Sequence, residues 1–261
     1  MARYLVTGAS GGMGQAICRT LSEKGHEVIG LDLYEPKKKA PFSFLRADVT
    51  DAASLEAALA RIADGRLDGV IHAAGLYDLD SLVEIDEERF LRIFNVNLFG
   101  VYRVNKLALP LLAPGARVVI ITSELAPLAP LPFTGLYAIT KAALDKYADS
   151  LRMELQLLGC QVVVIRPGAV RTGMLPASVA ALDRFCAGTR LYPVNAARFR
   201  SIVGRAEARN VPPEALARKV LSALTARRPR LVYRLNRNPF LRLLNALPRR
   251  WQLGIIRKIL S

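Results

Sequence analysis

The chain has 261 residues, 52% of them apolar and 23% charged, a composition that excludes a disordered protein and suffices for a sizeable core. Three scattered cysteines, Cys18, Cys160 and Cys186, are too few for a disulfide framework or a zinc site, so a reduced, cytoplasmic setting is expected. The charge is lopsided: against a formal net charge of +15, ten basic residues and no acidic one lie between Arg227 and Ser261.

In chain order, Tyr4-Leu5-Val6 reads as a short apolar strand that starts at Arg3, so no targeting peptide is expected. Gly12 to Lys24 is a helix with Ile17 and Leu21 four apart, and Glu27 to Leu31 and Phe42 to Leu45 are strands. Ser54 to Ile62 is an Ala/Leu helix that either Thr50 or Asp51 can cap. Val70-Ile71 lies in a strand ending at Ala73-Ala74-Gly75. Asn95 to Leu112 is helical, Val118 to Thr122 a strand, Leu136 to Leu158 a long helix and Val162 to Ile165 a strand. After Pro167 the alternation stops, and Thr172 to Asn210 reads as irregular, in the place of a lid. A helix (Glu214 to Leu224), a short strand (Leu231 to Tyr233) and the basic tail follow. Val/Ile-rich strands alternating with helices predict one α/β domain, a parallel sheet covered on both faces. Its bounds are 1–235, with a lid at about 172–211 and a basic amphipathic segment at 236–261.

Thr7-Gly8-Ala9-Ser10-Gly11-Gly12-Met13-Gly14 joins the first strand to the first helix. Glycines here permit a tight turn and let backbone N–H groups meet a pyrophosphate at the helix N-terminus. Asp32 closes the second strand, where a carboxylate accepts hydrogen bonds from ribose hydroxyls and repels a 2′-phosphate. Gly11 and Leu33 stand where a basic residue would greet that phosphate, so NAD is expected rather than NADP. Lys37-Lys38-Lys39 either folds back towards it or is a solvated loop. Asp48-Val49 follows the third strand, with Asp48 meeting the adenine edge or capping the next helix. Ala73, Ala74 and Gly75 are small enough for a cofactor to lie against the backbone, and His72 before them reads as a structural strand residue.

Tyr137 and Lys141 share a helix face, Ser123 ends the preceding strand, and Asn97 lies on an earlier helix. With the glycine motif, Ala73-Ala74-Gly75, Asn95-Val96-Asn97 and Pro167-Gly168 in this order, residues 3 to about 172 resemble a compact short-chain dehydrogenase/reductase. The resemblance implies a doubly wound, Rossmann-type fold with a seven-stranded sheet, NAD(P)-dependent hydride transfer and an Asn97-Ser123-Tyr137-Lys141 tetrad. It also implies that Asn97 supports a water relay, that Lys141 binds the nicotinamide ribose, and that Pro167, Gly168, Val170 and Thr172 shape the nicotinamide pocket. The family serine usually lies thirteen residues before the tyrosine. Here Glu124 stands there and Ser123 is fourteen before, which implies one extra residue in the Ala126–Pro132 loop. For Tyr137 to act as a base near neutral pH its pKa must fall by about two to three units from ~10, with Lys141 and the positive nicotinamide ring favouring the phenolate.

The lid carries Met174, Leu175, Val179, Leu182, Phe185, Leu191, Tyr192 and Phe199, with Arg184, Arg190, Arg198, Arg200, Arg205 and Arg209 against Asp183 and Glu207. It reads as the wall of a cleft for a hydrophobic, steroid-like or lipid-derived alcohol or ketone, or as ordinary lid packing with solvated arginines. In the tail, Phe240, Leu244, Leu247, Trp251 and Ile255 fall on one helical face, with Arg242, Arg249, Arg250 and Arg257 opposite and Pro248 splitting the helix. This stripe suits packing on the body, a second subunit of a homodimer or homotetramer, or a membrane surface. No base-reading motif supports a nucleic-acid partner. A non-catalytic dinucleotide-binding regulator or scaffold, and an isomerase or dehydratase on the same scaffold, are the rival readings.

Overall fold

The structure is a computed structural model that describes residues 1–261 apart from 38, 63–65 and 208–209, with the backbone alone at 174–176 and 203–207. The side chains of Met174, Leu175, Arg205 and Glu207, and all of Lys38 and Arg209, therefore lie outside the described set. The strands are β1 (Arg3–Thr7), β2 (Glu27–Asp32), β3 (Ser43–Arg46), β4 (Leu67–His72), β5 (Leu112–Ile121), β6 (Gln161–Pro167) and β7 (Val232–Leu235). They form one seven-stranded sheet in the order β3-β2-β1-β4-β5-β6-β7, and every pair is parallel.

Side chains alternate across a strand, so a sheet buried on both faces needs apolar residues in continuous runs. Tyr4 and Val6 face α1 (Gly12–Glu23) and α8 (Pro213–Thr225), whose Ile17, Leu21, Leu216 and Val220 pack on them and on Ile71, Val119 and Val163. Leu5 points the other way, into the layer formed with α2 (Ala52–Ala60) and α4 (Gly100–Ala108). On that same side Val118, Ile120, Val162 and Val164 pack on α4 and on Leu144 and Ala148 of α5 (Gly135–Leu155). The expected doubly wound sheet is the observed one. Its strand order reverses between β1 and β4, and the C-terminal strand ends there bound a crevice.

Three stretches differ from expectation. A helix α3 (Glu87–Phe94) precedes the predicted Asn95–Leu112 helix, capped by Asp86, whose Oδ1 accepts from Arg89 N at 2.8 Å. The stretch after it is a π turn (Asn95–Phe99), then α4, then a 3₁₀ turn (Leu109–Leu111). Pro110 cannot donate to the preceding turn, so the helix stops and β5 begins at Leu112.

The lid is not irregular. It holds α6 (Met174–Gly188) and α7 (Pro193–Glu207), with Pro at the start of the second. Ala181, Leu182, Phe185, Ala196 and Phe199 bury one face against Leu79, while Val179 and Leu191 stay exposed and blur the helical period in the sequence. Glu84 holds the turn between these helices: it accepts from Thr189 Oγ1 at 2.6 Å, Arg190 N at 2.8 Å and Leu191 N at 3.1 Å.

The tail forms α9 (Pro239–Ala246) and α10 (Arg249–Leu260), split at Pro248. The predicted single stripe does not survive. Pro248 resets the helical phase, so Leu244 and Leu247 are half-buried while Phe240, Trp251 and Ile255 are exposed.

His72 ends β4, buried, with Nε2 2.8 Å from Asn105 Oδ1. Since the amide oxygen accepts, Nε2–H donates, and Asn105 Nδ2 donates onward to the Tyr147 hydroxyl at 3.1 Å. Burial lowers the imidazole pKa from 6.5 to about 4. The folded chain thus prefers the neutral ring, and stability is lost as pH falls from 6.5 towards 4. Urea unfolding across that window should show a loss on the order of 3 kcal/mol that is absent in His72→Gln. An unchanged pH slope in the variant would refute the assignment.

Candidate active site

The loop after β1 turns so tightly that two glycines have no substitute. Gly8 has φ +71°, and a Cβ there would lie 2.5 Å from Ala74 N. A Cβ on Gly14 would lie 1.9 Å from the Gly8 carbonyl oxygen. This packing sets the start of α1, whose N-cap Gly11 provides no side-chain hydrogen bond and whose first turn carries no acid. Backbone donors at Gly12, Met13 and Gly14 therefore point into the crevice with the positive end of the helix dipole, an arrangement that fits a pyrophosphate. Thr172 covers the edge of this turn: its Cβ lies 2.8 Å from where a Gly12 Cβ would be.

At the end of β2, Asp32 Oδ2 accepts from Ser10 N at 2.9 Å and Oδ1 from Tyr34 N at 3.2 Å. Ser10 Oγ donates to the Tyr34 carbonyl. These bonds hold the carboxylate beside the glycine turn and leave it lone pairs for a ribose diol. Leu33 beside it is exposed. Asp48 is not the helix cap. Its Oδ1 accepts from Thr50 N at 2.8 Å and Thr50 Oγ1 at 2.7 Å, while Asp51 caps α2 by accepting from Ala53 N at 3.0 Å. Val49 faces α4, its Cγ2 2.9 Å from where a Gly100 Cβ would be. The glycine turn, Asp32 and the small residues Ala73, Ala74 and Gly75 thus form a continuous cradle that suits a dinucleotide.

The predicted tetrad converges. Ser123 follows β5, held by Thr122 N donating to Ile165 O at 2.9 Å and Glu124 N donating to Pro167 O at 2.8 Å. The loop 124–134 accommodates the fourteen-residue spacing and re-enters α5 through Phe133 in the left-handed region, at φ 65°. The Ser123 side chain faces the Tyr137 phenol and favours its ionised form, and Ser123 Oγ accepts from Leu125 N at 3.2 Å. Lys141 Nζ lies 5.6 Å from the Tyr137 ring centroid and donates to Ile121 O at 3.3 Å. A Cβ on Gly75 would sit 3.5 Å from Lys141 Nζ and 3.3 Å from Asn97 Oδ1, so both side chains close on that strand end.

Asn97 sits in the π turn after α3. Its side chain is fully buried and bonded to protein: Oδ1 accepts from Leu76 N at 2.7 Å, and Nδ2 donates to Leu76 O at 2.9 Å and Thr140 Oγ1 at 3.1 Å. The amide thus ties the Leu76 backbone to α5.

Burial acts on both ionisable groups of the cluster. Desolvation pushes the Tyr137 phenol above its ordinary pKa, only partly opposed by the Ser123 hydrogen bond and reinforced by Tyr77. Desolvation lowers Lys141 to about 8. Across the crevice, Gly168 N donates to Leu235 O at 2.8 Å, and a Cβ on Gly168 would strike the Asn236 carbonyl oxygen at 2.0 Å. Val170 is buried and bridges to Val211.

Sequence reasoning missed two residues here. Tyr77 covers Tyr137, ring centroids 4.8 Å apart, and only proximity after Gly75 hinted at it. Glu124 is half-buried with Oε2 accepting from Asn238 N at 2.7 Å, which ties the strand carrying Ser123 to the start of α9.

A family model for short chain dehydrogenase matches residues 3–183. The chain is 32% identical over 172 residues to a 3-ketodihydrosphingosine reductase of Bacteroides thetaiotaomicron, covering 65% of this chain and 64% of that protein. It is 33% identical to oxidoreductase UcpA of Salmonella typhimurium (65% and 70% covered) and 31% identical to an NADPH-dependent 1-acyldihydroxyacetone phosphate reductase of Schizosaccharomyces pombe (64% and 60%). The matched segment thus spans less than two thirds of two of these relatives. A short chain dehydrogenase family protein from Francisella tularensis superposes with TM-score 0.75 at 24% identity, over 90% of this chain and 96% of that one.

A buried ammonium costs stability when burial outweighs its partners. The cost at Lys141 is full below pH 8, where folded and unfolded chains both carry the charge, and vanishes as pH rises towards 10.5. Lys141→Met should therefore raise the free energy of unfolding by on the order of 2–3 kcal/mol at neutral pH, with the gain shrinking at alkaline pH. Urea unfolding at the two pH values checks it. A Met variant less stable at neutral pH would show that the Ile121 carbonyl more than offsets desolvation.

Proposed function

The chain belongs to the short-chain dehydrogenase family, and from that premise we propose that it is a nicotinamide-dependent oxidoreductase interconverting a secondary alcohol and a ketone on a hydrophobic substrate. The observation that carries this reading is the buried Ser123-Tyr137-Lys141 cluster, set one strand end away from an uncapped helix N-terminus. When bound, the nicotinamide supplies the hydride acceptor or donor.

The chain's own residues handle the proton. Ser123 orients the substrate oxygen beside the phenol. Tyr137 holds a proton in its buried state; it gives that proton to a carbonyl oxygen in reduction and takes one from a hydroxyl in oxidation. As the phenolate forms, the Lys141 ammonium stabilises it through the low-dielectric interior. Asn97 keeps the Leu76 backbone and α5 in register, which fixes the distance between Ser123 and Tyr137.

NAD is the preferred partner in this reading. Asp32 places a negative charge at the ribose end, and neither Gly11 nor Leu33 offers a cation. Lipid-like ketones are the proposed substrates. Leu79, Phe133, Phe185, Tyr192 and Phe199 form an apolar wall beside Tyr77, and two relatives are named for lipid ketones.

Two outcomes test the proposal. Following reduced-nicotinamide absorbance, long-chain and steroidal ketones should turn over while polyols do not, and Tyr137→Phe should cut turnover by roughly 10²- to 10⁴-fold. Turnover that survives the change would end the assignment of Tyr137. Asp32→Ser should shift the NADP-to-NAD ratio of kcat/KM by roughly 10- to 100-fold towards NADP, by removing charge repulsion. An unchanged ratio would place the discrimination elsewhere.

A further inference from the structure

The C-terminal helices are docked on the body yet present a second apolar face. The inner side of α10 carries Gln252, Ile256 and Leu260. Leu260 is buried with Leu79, Phe185 and Phe199, and Asn195 Nδ2 donates to its carbonyl at 2.6 Å. Gln252 is buried and donates from Nε2 to Leu247 O at 2.8 Å. α9 is fixed by Glu124 at Asn238 and by Asn245, whose Oδ1 accepts from Ala129 N at 2.7 Å.

With that side committed, Trp251, Ile255 and Ile259, spaced i, i+4 and i+8, run along an exposed edge of α10. Trp251 is 65% exposed, an unusual position for the only tryptophan of the chain. Leu243 and Leu253 are exposed as well. Arg242, Arg249, Arg250, Arg257 and Lys258 stand exposed among them, and no acidic residue lies between Arg227 and Ser261. None of the helices among the described residues is long and apolar enough to cross a membrane.

We propose that the outer face of α9 and α10 docks the protein on an anionic lipid bilayer. Exposed apolar side chains with a tryptophan, ringed by arginine and lysine, match the two contributions that hold an interfacial helix: apolar burial at the acyl boundary and attraction to anionic headgroups. A second copy of the chain is a poorer occupant. An isologous contact would set this basic face against itself, and the net charge of +15 leaves little acidic surface to receive it elsewhere. Because α10 is held by its inner side, docking needs no undocking of the tail.

Trp251 is its own reporter. On mixing the full chain with phosphatidylcholine vesicles containing phosphatidylserine, its emission should shift to the blue and the protein should float with the vesicles; phosphatidylcholine alone should do much less. Trp251→Phe with Ile255→Glu and Ile259→Glu should abolish flotation. The combined Arg250→Gln, Arg257→Gln and Lys258→Gln variant, which alters only exposed side chains, should lower partitioning by on the order of 100-fold. These readouts need no enzymatic activity, so they fail or succeed independently of the proposed reaction. A Trp251 emission unchanged by anionic vesicles at low salt would overturn the proposal. A shift that follows protein concentration without lipid, or that duplex DNA produces and vesicles do not, would also overturn it.

Discussion

The geometry of the site depends on one buried amide. Asn97 takes both the N–H and the carbonyl of Leu76 and also binds the Thr140 hydroxyl, which in turn donates to the Tyr137 carbonyl at 2.8 Å. Three separate pieces of chain meet there: the end of β4, the π turn and α5. A buried amide that lost these partners would leave several unsatisfied groups, each worth about 1–3 kcal/mol, so the three move as one body. The π turn serves the same end. Gly100 N–H donates to the Asn95 carbonyl, five residues back, and the widened turn brings Asn97 to the strand end without breaking the helix.

That rigid junction sets the electrostatic problem of the site. Tyr137 and Lys141 are both desolvated, and desolvation acts in opposite directions on their pKa values: up for the phenol, down to about 8 for the amine. Each shift favours the neutral form. Below about pH 8 the folded chain therefore holds a neutral phenol beside a buried ammonium. Spacing on a helix reveals the proximity of Lys141 to Tyr137 but not the burial of either. The one-turn offset of Lys141 is readable; its near-complete burial is a tertiary property that spacing does not carry.

Much of the architecture was legible for physical reasons. Alternating Val/Ile runs, the glycine turn and the Tyr137-Lys141 offset are local, and the structure brings them together as expected. What escaped was set by tertiary contact. The lid helices α6 and α7 carry apolar residues on both faces, because Leu182, Phe185 and Phe199 bury into the body while Val179 and Val194 do not, and no periodicity separates the two. In the tail the break at Pro248 was readable, but the new phase of the second helix was not, so Leu244 and Leu247 do not share a face with Trp251 and Ile255. Asp48 and Asp51 were interchangeable on paper, and only the turn geometry assigns the cap to Asp51.

Glu124 shows how these parts are coupled. It stands in the place where the family serine is usually found, and its backbone N–H continues the pairing of β5 with β6 while its carboxylate receives the first N–H of the tail at Asn238. Burial raises its pKa, with the Asn238 N–H and the nearby Arg237 charge opposing that rise. Its Oε1 also lies 2.8 Å from where a Gly168 Cβ would be, so only glycine fits beside it. The residue after Ser123 is therefore the anchor of α9, and α10 in turn closes on the lid through Leu260 and Asn195. The tail therefore meets the lid directly, and meets the segment after Ser123 through the Glu124 carboxylate and the Asn245–Ala129 bond. The proposed lipid-facing side of the tail and the proposed substrate wall are thus parts of one packed unit.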